Sequence, residues 1–122
     1  MDTLLACAVL AGQLCFGPQL AANDVNRGKE LWEARCTGCH SLEANRIGPL
    51  HRGVFGRKAG TVPGFSYSTA LKNFGQTWTE ASLDKWLAAP GQFVPGSRMG
   101  FAVGDANDRS DIIAYLKSVS GR

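Results

Sequence analysis

After residue 22 the apolar positions gather into three segments, separated by long glycine- and proline-punctuated stretches. From Val25 to Cys36 the apolar positions Val25, Leu31, Trp32 and Cys36 recur mainly at helical spacing, and Asn23 or Asp24 stands where a cap is needed. From Glu80 to Ala89, Leu83, Trp86 and Leu87 share one helical face; Thr79 is placed as N-cap and Pro90 as the stop. From Asn107 to Ser118, Ile112, Ile113, Leu116 and Val119 repeat at three and four, with Gly121 beyond the end. A short helical turn is expected around Ser68–Asn73. Between these segments Gly48-Pro49, Gly53, Gly56, Gly60, Pro63-Gly64, Pro90-Gly91 and Pro95-Gly96 predict loop. So much irregular backbone in a short chain needs a rigid object to pack against.

Residues 1–22 follow another pattern. Leu4 to Leu14 is mostly apolar, Gly17-Pro18 breaks the run, and Leu20-Ala21-Ala22 offers small residues before the polar Asn23-Asp24. This is the layout of a secretory leader, although Asp2 stands where positive charge is usual. A retained N-terminal anchor is the alternative, and a lipoprotein cysteine at Cys7 fits less well. The apolar run is shorter than the ~20 residues a spanning helix needs. Residues 23–122 then form a single domain. They hold all thirteen Lys and Arg and nine of the ten acids, leaving +4. A mild charge interleaved with acids does not suggest nucleic acid; it suits a soluble protein that meets a more acidic partner. A domain of about 100 residues buries a thin core by itself.

The chemistry is concentrated at Cys36-Thr37-Gly38-Cys39-His40. Two thiols three residues apart, followed at once by an imidazole, form the attachment pattern of a c-type haem. Each thiol adds to one vinyl group of the porphyrin, and the adjacent histidine offers a nitrogen to the iron. A zinc site would need a second ligand pair, and Cys7 and Cys15 lie in the leader. A thioredoxin-like pair would need a βαβ pattern, which is not seen. A flat covalent porphyrin also answers the shortage of core. For the other face of the iron, residues 23–122 hold one methionine, Met99, on the turn-rich Pro95–Gly100 loop. They hold one further histidine, His51, read as a surface or hydrogen-bonded group. Met99 is the expected sixth ligand, although outside a haem protein such a methionine would fill core. Met/His ligation leaves no open coordination position and suits electron transfer over catalysis.

Taken in order, Gly28-Lys29, Trp32, Cys36-Thr37-Gly38-Cys39-His40, Gly48-Pro49, Gly53-Val54-Phe55-Gly56-Arg57-Lys58, Pro63-Gly64-Phe65-Ser66-Tyr67, Thr77-Trp78, Pro95-Gly96-Ser97-Arg98-Met99 and Ile113-Ala114-Tyr115-Leu116-Lys117 resemble the class I c-type cytochromes, mitochondrial and short soluble bacterial alike. The resemblance implies an all-α fold with three main helices, a short fourth, and long loops wrapped around one covalent haem c. It implies thioethers at Cys36 and Cys39, and His40 and Met99 as axial ligands. It implies that the Pro49 carbonyl accepts the His40 ring N–H, and that Tyr67 and Trp78 donate to a buried propionate balanced by Arg57. Ser97 would lie near the other propionate, in place of a family threonine. Trp32 would sit where the first helix crosses the last, near Gly28, Ile112 and Tyr115. Phe101 would lie at the exposed haem edge. Taken singly, Tyr67 and Trp78 are ordinary core aromatics and Arg57 a solvated loop residue; it is their joint occurrence that carries these roles.

The chain departs from the family in its shorter His40–Gly48 loop, in Leu71 for a pocket asparagine, and in Gly91 and Gln92 for two partner-facing lysines. Asp105 and Asp108 add acid, leaving Arg35, Arg46 and Arg98 for a thinner positive ring. The implied function is a monomeric one-electron carrier in a bacterial periplasm, or alternatively a mitochondrial intermembrane space. Its donor would be a quinol–cytochrome c reductase, and its acceptor a cytochrome oxidase of the haem-copper type or a photosynthetic reaction centre. The rivals are a haem peroxidase or gas-binding sensor with a labile sixth ligand, and a zinc module built on Cys36, Cys39 and His40.

Overall fold

The first helix, α1 (Val25–Arg35), and the last, α5 (Ala106–Ser118), cross and set the frame of the molecule. The computed structural model describes residues 23–121. The leader expected over 1–22 lies outside the described residues. Between the crossing pair come α2 (Thr69–Lys72), α3 (Glu80–Ala88) and α4 (Pro90–Phe93). Among the described residues the only strand-like pairing is an isolated antiparallel bridge, Lys58 to Thr77, and no helix is long and apolar enough to cross a membrane.

The α1–α5 crossing depends on Gly28. A Cβ there would stand 1.9 Å from the Asp111 carbonyl oxygen and 3.1 Å from Tyr115 Cβ. Trp32, one turn on and 5% exposed, packs its ring against Tyr115 at 5.5 Å between centroids. Polar ties close the crossing. Arg27 donates to Asp111 at 2.7 Å and to Asp108 at 2.5 Å, and the Asp24 N–H donates to Asp111 at 2.8 Å. Arg35 pairs with Asp108 at 3.1 Å. Both ends of α1 are thereby fixed to the first half of α5 across more than seventy residues of chain.

Asp24 and Thr79 cap their helices as expected, and Ser68 adds a cap that was not foreseen. Asp24 accepts from Arg27 N–H, Ser68 from Leu71 N–H, and Thr79 from Ser82 N–H, with Ser82 returning the bond to Thr79 N–H. Five boundaries shift by one residue from expectation, and one element is new. Cys36 is the C-cap of α1, α3 stops at Ala88, α5 begins at Ala106 behind the Asp105 cap, and the turn at 68–73 is helical only over Thr69–Lys72. The short α4 was expected as loop. Pro90 cannot continue α3, but its fixed φ suits the first position of a new helix, and it takes that position. Val25, expected on the apolar face of α1, is 41% exposed. Leu83, Trp86, Leu87, Ile112, Ile113 and Leu116 are buried as their periodicity requires, in one cluster with Trp32, Trp78 and Tyr115. Leu31, Leu71, Met99 and Val119 are partly buried against it.

Candidate haem centre

The Cys36–His40 segment turns off the end of α1 through backbone bonds from Cys39 and His40 N–H to the Cys36 carbonyl. This turn leaves Cys36 partly buried and Cys39 exposed, with no disulfide between them. Burial pushes the Cys36 thiol up to about 11, against a smaller opposing effect of Arg35. A redox-active pair would instead hold a stabilised thiolate. Arg46 spans the turn from outside, donating to the carbonyls of Thr37 at 2.7 Å and of Gly38 and His40 at 3.3 Å.

His40 sits in a narrow seat. Its Nδ1 lies 2.8 Å from the Pro49 carbonyl oxygen. A carbonyl only accepts, so Nδ1 carries the proton and Nε2 keeps its lone pair for a metal. Gly48 forms one wall: a Cβ there would fall 2.1 Å from His40 Cε1. The other wall is His51, whose ring stacks on His40 at 3.9 Å between centroids and 21° between planes. The Trp32 indole N–H donates to His51 Nδ1 at 2.9 Å. Burial lowers the His40 pKa, with the Pro49 bond opposing and Arg46 adding to the effect. Burial also carries His51 well below the usual imidazole range, helped by His40 and Arg57.

Arg57, Tyr67 and Trp78 come together around the Lys58–Thr77 bridge. Trp78 N–H donates to the Arg57 carbonyl at 2.8 Å, and Gly56 N–H to the Trp78 carbonyl at 2.7 Å. The partly buried Arg57 guanidinium donates to the carbonyls of Leu50 at 3.1 Å and Arg52 at 2.7 Å, and among the described residues it has no carboxylate partner. Burial lowers its pKa, and Tyr67 is close enough to oppose that electrostatically. The Tyr67 hydroxyl accepts from Val62 N–H at 3.0 Å, which leaves its own proton to give. The Trp78 ring is buried, its centroid 5.9 Å from that of Phe74 and 5.4 Å from that of Trp86. A guanidinium without a carboxylate partner and a hydroxyl with a proton to give are groups that suit a carboxylate. The Ser97 Oγ donates to the Pro90 carbonyl at 3.4 Å. Met99 reaches the core from its loop, partly buried.

These features fit a haem. A thiol pair, an imidazole with one free nitrogen, a thioether and an unmatched cation for a propionate stand in a fold with few regular elements. They fit zinc poorly: among the described residues no three His, Cys, Asp or Glu side chains are grouped to hold a metal ion. The model of the cytochrome c family matches residues 25–120. The chain belongs to the cytochrome c family. It is 48% identical to cytochrome c of Euglena viridis over 99 residues, covering 79% of this chain and 97% of that protein. It is 42% identical to cytochrome c2 of Rhodomicrobium vannielii over 106 residues, 84% of each. The solved structure of cytochrome cH from Methylobacterium extorquens superposes with a TM-score of 0.74 at 42% identity, covering 78% of this chain and 98% of that one. This c-type cytochrome therefore carries a covalently bound haem c, for which Cys36 and Cys39 supply the attachment motif, and acts as an electron carrier.

Sequence reasoning missed two parts of the site. The Arg46 brace was expected only as surface charge, and the stacking of His51 on His40 was not foreseen. Neither leaves a periodic signal, because both arise where loops fold back on the attachment turn. Arg35, expected in the positive ring, is instead held by Asp108 at the helix crossing.

Proposed function

We propose that this cytochrome is a soluble, monomeric one-electron carrier with a low-spin haem bound axially by His40 Nε2 and the Met99 sulfur. The observation that carries this reading is the His40 seat. Protonation of Nδ1 toward Pro49 leaves Nε2 as the only free nitrogen, one residue from the attachment thiols. Bound there, haem c supplies a one-electron Fe(III)/Fe(II) couple. Two protein ligands close the iron to substrate, which argues for a carrier and against an enzyme. Arg57, Tyr67 and Trp78 hold one propionate, and Ser97 the other.

The donor is a quinol–cytochrome c reductase, and the acceptor a cytochrome oxidase or photosynthetic reaction centre. The compartment is a bacterial periplasm, reached through the 1–22 leader. Ile47 at 74% exposed and Phe101 at 47% offer apolar contact, and the exposed Arg46 and Arg98 offer modest positive charge. Both arginines are tethered to backbone carbonyls, Arg98 to Ser66 at 2.9 Å. Such a surface favours brief docking with a shallow dependence on ionic strength.

An intact mass together with visible spectra tests the reading. The expected result is one haem that resists extraction into acidified organic solvent, low-spin in both oxidation states. High-spin oxidised protein, or rapid carbon monoxide binding to the reduced form, would establish the peroxidase or sensor reading instead. Colourless protein containing zinc, from a host able to attach haem, would overturn the whole account.

A further inference from the structure

The geometry points to His51 as a positioning residue for the iron-binding imidazole: its neutral ring, stacked on His40 and fixed by the Trp32 indole, sets the plane in which His40 meets the iron. This rests on His40 being an axial ligand. The hydrogen bond to Pro49 does not set that plane alone. A ring tethered at one nitrogen and bound at the other can still turn about a line passing close to both. A flat partner on its face removes that freedom. His51 supplies the face at 3.9 Å and 21°, opposite the Gly48 backbone wall.

His51 is itself fixed. An indole nitrogen only donates, so the 2.9 Å contact from Trp32 requires an unprotonated Nδ1 on His51. The His51 ring is then neutral with its proton on Nε2. An imidazole free to flip would lose this bond and leave a buried indole N–H unpaired, which costs about 1–3 kcal/mol. Trp32 is in turn locked at the α1–α5 crossing against Tyr115. The order of restraint runs from the helix crossing to Trp32, to His51, to His40. Tilting the axial ring changes its overlap with iron orbitals, so the device acts on the redox centre and not only on packing. The alternative is that His51 merely gives Trp32 an acceptor and fills space.

Two measurements separate these. In the unmodified, reduced holoprotein, 15N chemical shifts should show His51 Nδ1 bare and Nε2 protonated. In the oxidised state the pattern of hyperfine-shifted haem-methyl resonances reports the axial ring plane. His51→Leu should alter that pattern and shift the reduction potential. Trp32→Phe should shift both in the same direction by less, and His51→Phe, which keeps a flat face, should return the methyl pattern toward wild type. A proton found on His51 Nδ1, or a low-spin His51→Leu protein with wild-type methyl shifts and potential, overturns the proposal. Absence of hyperfine-shifted His40 ring resonances from the oxidised, unmodified holoprotein would instead refute His40 ligation, so the two failures are distinct. The 15N measurement needs no variant and stands even if the substitutions prevent folding.

Discussion

Gly48→Ala tests the seat of the iron-binding ring. Gly48 is buried, and its φ is not in the left-handed region, so alanine meets no dihedral penalty there. The obstacle is contact. The new Cβ would lie 2.1 Å from His40 Cε1 and 2.6 Å from both ring nitrogens. Non-bonded carbons rest about 3.5–4 Å apart, so ring and backbone must separate by roughly 1.5 Å. His51 stands on the other face, and the Nδ1–Pro49 bond at 2.8 Å has no slack for such a shift. Overpacking of this kind costs about 1–3 kcal/mol, and the weakened hydrogen bond about 1 kcal/mol more. Alanine recovers about 0.4–1 kcal/mol by restricting the unfolded chain. The net expectation is a loss of about 2 kcal/mol, or roughly 8–16 °C in Tm for a domain of this size. Denaturant titration of the two holoproteins measures it, with the m-value unchanged. A wild-type midpoint in a variant that keeps its haem and spectrum would show that Gly48 and His40 are not in this contact.

Met99→Ala should open the sixth position, give a high-spin oxidised spectrum and lower the potential; an unchanged potential with the sulfur-to-iron charge-transfer band retained would refute Met99 as ligand. Gly28→Ala forces a Cβ to within 1.9 Å of a backbone oxygen on α5. It should cost on the order of 3 kcal/mol in thermal unfolding followed by circular dichroism, and a loss below about 1 kcal/mol would mean that the helices part easily. For acid stability, the Arg27 guanidinium holds the Asp108 carboxyl below its ordinary value. A depressed folded-state pKa stabilises fully above about pH 4 and is lost as pH falls through the lower folded value. Arg27→Ala should therefore move acid unfolding to higher pH while leaving the neutral-pH haem spectrum unchanged; an identical acid midpoint would refute that coupling.

Segments whose residues answer to their own neighbours in sequence were legible. The faces of α3 and α5 and the Thr79 cap follow from local spacing, and the crossing at Gly28 and Trp32 from the resemblance to the class I c-type cytochromes. Pro90 shows how local logic can be half right. It stops α3 and, by the same locked φ, starts α4. The rest depends on which loops meet. Trp32 and His51 are nineteen positions apart, and no periodicity joins a helix to an irregular loop. Arg35 was assigned to the docking face by its charge alone. Its carboxylate partner, Asp108, comes from the far end of the chain and becomes visible only once α1 and α5 cross.

That crossing also brings the ends of the domain together. Ser110 Oγ donates to Asn23 Oδ1 at 3.0 Å, and Asn23, Val25, Lys117 and Ser118 border one shallow hollow. A tether, label or second module fused at either terminus would depart from nearly the same spot. Joining the two ends by a short linker and opening the chain at an exposed loop should therefore give a circular permutant that retains the architecture.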